Sequence, residues 1–307
     1  MSSVVILGVF VADTAYRAAR QPVMGETIMG NSFVLGPGGK GSNQAVAAAM
    51  AGAKTHFISR LGVDDFAKIA LDTWKKAGVI PVVTQDPSSY TGAAYIFIEE
   101  ATGNNAIIVA PGAAAKISVD DIEAQAELIR SASVFITQLE QPMDAAMRAL
   151  QIARAAGVRT ILNPAPAATL PDGMLALCDY VTPNESEAEA LTGIKVVTVE
   201  DAIRAATALR SHGAKAAIIT LGDKGALYQD EQGSLHVPVI SAGKVVETTG
   251  AGDAFNGGFA AALAAGTDPR AAVRFGCATA GISVTRAGTA PAMPSLDEIR
   301  ALLARSA

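Results

Sequence analysis

Few residues of this sequence are suited to disulfide bonds or to metal binding. Its 307 residues include two cysteines and three histidines. Cys178 and Cys277 lie far apart in apolar surroundings, which argues against a disulfide framework or a cysteine-based metal site and predicts that both are core residues. His56, His212 and His236 are scattered without the spacing of metal ligands, so we expect none of them to bind a metal or to be catalytic.

Positive charge is also sparse. The net charge is −5 and no dense block of Lys or Arg occurs, which argues against nucleic acid or an anionic membrane as the partner. No stretch approaches the roughly 20 apolar residues of a membrane span. The first ten residues, MSSVVILGVF, contain no basic leader and no cleavage-site pattern. We therefore expect a cytoplasmic protein that acts on a small molecule.

Hydrophobic residues, at 50% of the chain, are numerous enough for a large core. Short β-branched runs alternate with Ala-rich helical stretches, and they occupy residues 4–8, 133–140, 159–163, 179–184 and 216–220. This alternation is typical of βαβ units. It predicts an α/β fold with a doubly wound, mainly parallel central sheet flanked by helices.

Two β-rich segments, residues 26–36 and 91–112, interrupt this alternation. The second contains the turn sequence Thr-Gly-Asn-Asn, and neither segment has a helix to cover it. We predict that they form a small discontinuous β lid, drawn from about residues 14–36 and 91–112. The lid is inserted in a single domain that spans residues 1–307.

Polar residues that directly follow strand-like runs are the first candidates for a binding site, because ligands bind beyond the carboxyl ends of strands in an open parallel sheet. The candidates are Asp13 after the first strand, Glu140, Asn184, Thr220 with Gly222, and Asp253 after a strand around Val245 and Val246. Each could instead be a cap or turn residue. Asn184 and Glu187 fit a capping box, and LGDKG at 221–225 fits a glycine-bounded turn.

A first glycine cluster, LGPGGKGSNQAVAAAMAG at 35–52, leads into a predicted helix. It is not a Walker A loop, because Lys40 is followed by Gly41, and no GxGxxG turn follows the first strand, so a dinucleotide dehydrogenase is disfavoured. Gly38, Gly39 and Gly41 allow backbone amides to approach a polyhydroxylated ligand closely, with Asn43 at the helix start. The alternative is a tight connection between a strand and a helix, with Lys40 a solvated loop residue.

A second glycine cluster, ETTGAGDAFNGG at 247–258, surrounds Asp253. The apolar residues that follow have helical spacing, so a helix is predicted to begin at Gly250 to Asp253. The free N–H groups and the positive end of the helix dipole there form an anion site. The alternative is that Asp253 only caps this helix.

Taken together, GGKGSNQAVAAAMAGA, the following FISRLG and the later ETTGAGDAFNGG resemble the two signatures of the PfkB, or ribokinase-like, carbohydrate kinases. The resemblance covers nearly the whole chain, since GETIMGNSFVLG, TQLEQP, LNPAP, TPNESEAEALTG, ITLGDKGA and VTRAGTAPAMP occur in the expected order. It implies an enzyme that transfers the γ-phosphate of ATP to a primary hydroxyl of a pentose, D-ribose above all. Open alternatives are 2-deoxyribose, fructose, another sugar or a nucleoside as substrate, and a catalytically silent sugar-binding protein on the same fold.

The resemblance also implies roles for individual residues. Asp253 is the base, and the amides of Gly250, Ala251 and Gly252 form an anion hole for the transferred phosphate. The other implied contacts are Asp13, Gly39, Lys40, Asn43 and Glu140 for the sugar, Asn184, Thr220, Gly222 and Gly225 for ATP, and Asn184 and Glu187 for Mg²⁺ through water. A homodimer that pairs through the lid segments 26–36 and 91–112 is implied as well.

Three positions depart from the family pattern. Glu247 stands where an Asp is usual and Ala292 where a Ser is usual, in a site for a monovalent cation built mostly from backbone carbonyls around Ser283, Arg286 and Gly288. These two changes leave activation by potassium open. Val11 stands where an Asn is usual, two residues before Asp13. Because strand side chains alternate, we predict that Val11 faces the sugar and weakens the preference for ribose over 2-deoxyribose; the alternative is that it only packs against the lid.

Overall fold

The structure is a computed structural model that describes residues 3–306. That range contains thirteen strands, which are β1 (Ser3–Leu7), β2 (Val11–Ala18), β3 (Ser32–Gly38), β4 (Lys54–Leu61), β5 (Ile80–Gln85), β6 (Thr91–Glu99), β7 (Asn105–Gly112), β8 (Val134–Thr137), β9 (Arg159–Leu162), β10 (Tyr180–Val181), β11 (Ala216–Thr220), β12 (Ala226–Asp230) and β13 (Gly233–Val237). Ten α-helices occur in the same range. They are α1 (Lys40–Met50), α2 (Asp65–Ala77), α3 (Val119–Glu123), α4 (Ala126–Arg130), α5 (Met143–Ala155), α6 (Glu185–Thr192), α7 (Val199–Ser211), α8 (Ala251–Ala264), α9 (Pro269–Ser283) and α10 (Leu296–Arg305).

Nine strands form the central sheet, in the order β13-β12-β11-β10-β9-β8-β1-β4-β5. The strands from β11 to β5 are parallel, whereas β12 and β13 extend one edge as an antiparallel pair. The predicted fold class, a mainly parallel sheet flanked by helices, is confirmed.

Helices cover both faces of this sheet because its strands are apolar on both sides. Val4 and Ile6 of β1 pack into one core with α1, α2, α8, α9 and α10, while Val5 and Leu7 pack into a second core with α3 to α7. Such near-continuous apolar strands are typical of a doubly covered parallel sheet. The longest α-helix in residues 3–306 is α9, with 15 residues. In that range no helix is both long and apolar enough to cross a membrane.

The chain reverses its direction across the sheet at β1, which lies between β4 and β8. In a doubly wound sheet, the crevice beyond the carboxyl ends of the strands at such a reversal is the usual place for a ligand. The loops after β1 and β8 carry Gly8 and Gln138 to this crevice, and α1 begins beside it.

Four strands form a separate small sheet, in the order β3-β2-β6-β7. The two expected segments belong to one sheet, but β2 lies between them and pairs with both, so Asp13 lies inside a strand of the small sheet and does not follow the first strand directly. No strand occurs between residues 19 and 31, so the middle of the predicted segment 14–36 is irregular. The Thr-Gly-Asn-Asn turn joins β6 to β7 as expected.

The two faces of the small sheet differ. The register of β2 with its neighbours places Tyr16, Phe33 and Tyr95 on one face, where Tyr16 lies 5.0 Å from Phe33 and 5.6 Å from Tyr95 between ring centres. We call this the aromatic face. The opposite face, which we call the Asp13 face, carries Asp13 and Val11 because both occupy odd positions of an unbroken register.

The strand expected around Val245 and Val246 does not form. Residues 241–250 are irregular, and both valines are more than half exposed. The N–H groups of Val246 and Glu247 both donate to the carbonyl of Val284, at the end of α9. Two β-branched residues are locally suited to a strand, but a strand also needs a neighbouring strand, and this loop lies against the end of a helix.

Candidate active site

Asp253 lies in the first turn of α8, at the end that faces the crevice. Gly250 is the N-cap residue in a left-handed conformation, with φ of 80°, which explains the glycine before the helix. The carboxylate of Asp253 is 8% exposed and makes no capping hydrogen bond to α8. It therefore has another role than that of a helix cap.

The Asp253 carboxylate is held by two side-chain amides of α1. Asn43 Nδ2 donates to Oδ2 and Gln44 Nε2 donates to Oδ1, each at 3.0 Å. Burial raises the pKa of Asp253, while the Lys40 ammonium and these two amide donors oppose the increase. A buried carboxylate with a raised pKa, held by two amide donors, is suited to accept a proton from a hydroxyl group.

Two further carboxylates belong to the same site. Burial, and then the charge of Asp253, raise the pKa of Asp13 to about 6. Burial is also the main cause that raises the pKa of Glu140 to about 7. The ammonium and the backbone N–H of Lys40 oppose this increase, whereas the charges of Asp253 and Asp13 add to it. Asp253, Asp13 and Glu140 therefore form a cluster of acceptors, in which the charge of Asp253 raises the pKa values of the other two, and such acceptors can bind hydroxyl groups.

The glycines before α1 are required by Asp13 and by the end of β1. A Cβ atom on Gly38 would lie 2.3 Å from the Asp13 carboxylate oxygens, and one on Gly39, whose φ is 89°, would lie 2.5 Å from the carbonyl oxygen of Val9. The Lys40 N–H donates to Glu140 Oε2 at 2.8 Å. The glycines thus bring the start of α1 against both acids, in addition to any approach to a ligand.

Val11 is 5% exposed and shares the Asp13 face of β2. A Cβ atom on Gly92 would lie 2.9 Å from Val11 Cγ1, so part of this side chain packs against β6. Val11 therefore lies on the same face as Asp13, as predicted, and it also packs against a strand of the lid, as in the alternative.

A cavity of about 510 Å³ adjoins the other side of the α8 N-terminus. Its lining includes all four residues expected to contact ATP, Asn184, Thr220, Gly222 and Gly225, together with Ala251 and Gly252. The rest of the wall is mostly apolar and comes from α8, α9 and nearby loops: Val239, Val245, Phe255, Cys277, Ala280, Gly281 and Val284. These residues were missed because no local sequence pattern links them.

The N–H groups expected to form the anion hole are not equivalent. The N–H of Ala251 already donates to the Thr248 carbonyl at 3.1 Å. Those of Gly250 and Gly252 have no hydrogen-bond partner within residues 3–306. Two free donors therefore lie at the α8 N-terminus, close in sequence to Asp253, and Gly252 also lines the cavity.

Two cavities of about 660 and 650 Å³ lie elsewhere in the molecule. The larger is lined by Arg154, Arg159 and Asp179 at the opposite end of the sheet, and neither contains any residue expected in the site. Volume alone therefore does not identify the functional cavity, whereas the acids and free N–H groups around Asp253 do.

Asn184 and Glu187, expected to organise Mg²⁺ through water, form a capping box at the start of α6. Asn184 Oδ1 accepts from the Glu187 N–H and Glu187 Oε2 accepts from the Asn184 N–H, each at 2.9 Å. Burial raises the pKa of Glu187. The capping box uses only Oε2 of this carboxylate, so Oε1 is outside it. In residues 3–306 no group of three or more His, Cys, Asp or Glu side chains could hold a metal directly.

The residues expected around a monovalent cation also come together. The Gly288 N–H donates to Glu247 Oε2 at 2.8 Å, so the longer acid fastens the loop 241–250 to the loop after α9. The carbonyl of Ser283 accepts from the N–H of Arg286, and Ala292 is buried. Whether a cation binds here stays a prediction.

A doubly wound α/β sheet with a buried carboxylate and free N–H groups at one helix N-terminus, between two further acids and a cavity, is suited to phosphoryl transfer. The pfkB family carbohydrate kinase model matches residues 1–296. The chain belongs to this family.

Individual relatives agree with this membership. The chain is 37% identical to a ribokinase of Haemophilus influenzae over 297 residues, which cover 95% of each chain. It is 34% identical to a deoxyribokinase of Salmonella typhi over 302 residues, which cover 98% of each chain. Among solved structures, Arabidopsis thaliana ribokinase complexed with ribose and ATP superposes with a TM-score of 0.92 at 31% identity and 98% coverage of both chains.

Proposed function

We propose that this chain transfers the γ-phosphate of ATP to the 5-hydroxyl group of D-ribose. The single observation that carries the proposal is the position of Asp253 in the first turn of α8, with Asp13 and Glu140 on one side and the cavity of about 510 Å³ on the other. The similarity to the ribokinase of Haemophilus influenzae and to the Arabidopsis ribokinase complex with ribose and ATP supports the choice of both substrates.

In the proposed reaction the hydroxyl oxygen of the sugar attacks the γ-phosphorus of ATP, and the Asp253 carboxylate accepts the proton of that hydroxyl. The bond from this phosphorus to the bridging oxygen of ADP breaks, so ADP leaves with the electron pair. The free N–H groups of Gly250 and Gly252 stabilise the charge on the transferred phosphoryl group, and the N–H of Ala251 contributes by sharing its bond to Thr248. Phosphoryl transfer depends mainly on such positioning and charge stabilisation.

The acid cluster orients the sugar for this transfer. Asp13 and Glu140 accept hydrogen bonds from ring hydroxyls, and the buried Asn43 Oδ1, which has no hydrogen-bond partner in the described residues, is a further acceptor. Gly39 brings the start of α1 close to the sugar. The Lys40 ammonium lowers the repulsion among the acids, because its charge opposes the increases in the pKa values of Asp253 and Glu140.

The residues around Asn184 fit a hydrated Mg²⁺ ion better than a directly ligated one. Glu187 is 9% exposed, is not paired with a cation in the described residues and uses only Oε2 in the capping box. Mg²⁺ keeps several of its waters, which such a carboxylate and the Asn184 amide would hold. When bound with ATP, the ion would neutralise phosphate charge. The chain's own residues would position its waters.

A second candidate substrate, 2-deoxyribose, is favoured by Val11. This buried apolar side chain lies on the Asp13 face of β2, where it cannot hydrogen-bond a sugar hydroxyl. The chain also resembles the deoxyribokinase of Salmonella typhi about as closely as several ribokinases. A pocket with an apolar wall gains little from the additional hydroxyl of ribose.

The small sheet is proposed to act both as a lid over the sugar and as a dimer interface, within a single domain. Its Asp13 face reaches the acid cluster through Asp13 itself. Its aromatic face exposes Tyr16 at 42% and Phe33 at 53%, and an exposed apolar patch of this kind is typical of a protein interface. A second copy of the chain is the proposed partner. The cytoplasmic location stays a prediction.

ADP release over a panel of pentoses, hexoses and nucleosides tests the proposed function. We expect ribose or 2-deoxyribose to give the highest kcat/KM. Asp253→Asn should lower kcat by about 10²–10⁴ while sugar binding is retained. Asp268→Asn is the matched control, because Asp268 is an exposed N-cap residue that accepts from the Arg270 N–H at 3.0 Å at the start of α9. Equal loss of activity in both variants, or turnover of no sugar, would refute the proposal.

A further inference from the structure

A chain of buried side-chain amides contacts the Asp253 carboxylate. Gln138 Nε2 donates to Gln44 Oε1 at 2.6 Å. Gln44 Nε2 in turn donates to Asp253 Oδ1 and to Asn163 Oδ1, both at 3.0 Å. Gln44 and Gln138 have no exposed surface, so neither can contact a sugar or a nucleotide.

The members of this chain come from separate elements at the switch point of the sheet. Gln44 lies on α1, Gln138 follows β8, and Asn163 follows β9. Asn163 Nδ2 donates to the carbonyl of Thr182 at 3.0 Å, after β10. The amides therefore join the carboxyl ends of three neighbouring strands to the base at the start of α8.

These contacts fix the orientation of the Gln44 amide. Its two N–H groups face the two acceptor oxygens of Asp253 and Asn163, and its oxygen faces the donor of Gln138. A rotation of the amide by half a turn would place its oxygen against two other acceptors and leave three buried groups without partners. An ionised carboxylate can only accept hydrogen bonds, so Asp253 favours the orientation that turns the Gln44 N–H groups toward it, while Gln138 Oε1 is left without a partner in the described residues.

We propose that Gln44 is a positioning residue that holds the Asp253 carboxylate in the orientation needed to accept the sugar proton, and that Gln138 and Asn163 keep Gln44 in place. This inference rests on the proposed function and adds to it residues that touch neither substrate. Asn43 already holds the other oxygen, Oδ2, so Gln44 decides whether the carboxylate has one anchor or two. A doubly anchored carboxylate presents a fixed lone pair to the crevice.

The charged groups that face Asp253 come from four elements. They are Lys40 on α1, Asp13 on β2, Glu140 after β8 and Glu187 at the start of α6. Three of these four are acids that favour the protonated form of Asp253. The Gln44 N–H favours the ionised form, so its removal should keep Asp253 protonated to a higher pH.

The decisive variant is Gln44→Met, which keeps most of the volume and removes the donor. With the best sugar substrate of the wild type, we expect kcat to fall by about tenfold to a hundredfold, the usual worth of a hydrogen bond to a charged group. The KM of the sugar should change by less than about threefold, because Gln44 does not touch the sugar. The acidic limb of the pH profile of kcat/KM should move to higher pH, because the Gln44 hydrogen bond lowers the pKa of Asp253.

Ser42→Ala is the matched control on the same helix. Ser42 is equally buried, but its hydroxyl accepts from Trp74 Nε1 of α2 at 2.9 Å and makes no hydrogen bond to Asp253 in the described residues. This variant should lower the melting temperature without moving the pH profile. A Gln44→Met enzyme with wild-type kcat and pH profile, or a Ser42→Ala enzyme with the same loss as Gln44→Met, would overturn the inference.

Gln138→Met provides a second route if Gln44→Met fails to fold. It leaves both Gln44 donors and removes only the group that fixes their direction, so kcat should fall by about two- to tenfold with the sugar KM unchanged. A Gln138→Met enzyme with unchanged kcat would also count against the inference. If the wild type itself phosphorylates no sugar, the proposed function fails instead, and the two failures are distinguishable.

Discussion

The substitution Asp13→Asn should make the folded protein more stable and should also abolish sugar binding. Asp13 is partly buried close to Asp253, and both effects disfavour its charge, so its pKa is raised from 3.8 to about 6. In the described residues no hydrogen bond to its carboxylate offsets them. The ionised Asp13 carboxylate, which is proposed to accept hydrogen bonds from the sugar, is therefore disfavoured by the folded protein without sugar.

The sign and size of this effect follow from proton linkage. Between about pH 4 and pH 6 the folded state binds the Asp13 proton more tightly than the unfolded state, so the folded state loses stability as the pH rises through that range. Below about pH 4 the penalty is absent, and above about pH 6 it is constant. A shift of about two pH units corresponds to at most about 3 kcal/mol. Solvent screens a partly buried carboxylate, so we expect about 1–2 kcal/mol.

Thermal unfolding of the unliganded protein measures this difference. At pH 8, Asp13→Asn should raise the melting temperature by about 2–3 °C, and the gain should shrink toward zero as the pH approaches 4. Asp72→Asn, at an exposed position of α2, removes the same charge away from the acid cluster and should leave the melting temperature nearly unchanged. An Asp13→Asn protein that is less stable than wild type at pH 8, or a gain that does not depend on pH, would refute the reasoning.

Further predictions concern the sugar, the lid, the cation and the dimer. Val11→Asn should raise the ratio of kcat/KM for ribose over 2-deoxyribose by about tenfold, because a buried hydroxyl without a partner costs about 1–3 kcal/mol; an unchanged ratio would mean that Val11 does not contact this hydroxyl. ATP hydrolysis without sugar should be slow, because the lid must close over the sugar to exclude water, and rapid sugar-independent ADP release would contradict the lid assignment. Potassium should activate only weakly, since Glu247 already binds the Gly288 N–H, and a large activation that Glu247→Ala abolishes would show this to be wrong. Phe33→Asp should shift the protein from dimer to monomer in light scattering, whereas Val197→Asp, at an equally exposed apolar residue outside the small sheet, should not.

Much of the architecture could be predicted because it depends on local patterns. The run of Val4 to Leu7 is apolar at every position, and this pattern is typical of a parallel strand covered on both faces. The glycines around Asp253 predicted the start of α8, since a residue with a left-handed backbone must precede it at Gly250. Such features require only neighbours within a few residues.

Strand membership was less predictable than strand propensity. Val245 and Val246 have the composition of a strand, yet no strand lies beside them, and the segment remains irregular. Asp13 was expected directly after the first strand, but it belongs to β2 of the small sheet, because β2 pairs with β3 and β6 along its length. Pairing depends on partners that a local pattern does not contain.

The sequence by itself determined the fold class, the helix start at Asp253 and, through the family resemblance, the set of residues that gather around it. Only the tertiary structure decided how they act together. The contact of Asn43 with Asp253 joins residues 210 positions apart, and that of Gln44 with Gln138 joins residues 94 positions apart. Gln44 and Gln138 look like ordinary polar residues in the sequence, and only the packing of α1 and α8 over the ends of β8 and β9 joins them to the base by hydrogen bonds. The elevated pKa values of Asp13 and Glu140 have the same origin, because burial and charge repulsion depend on which groups the whole fold brings together.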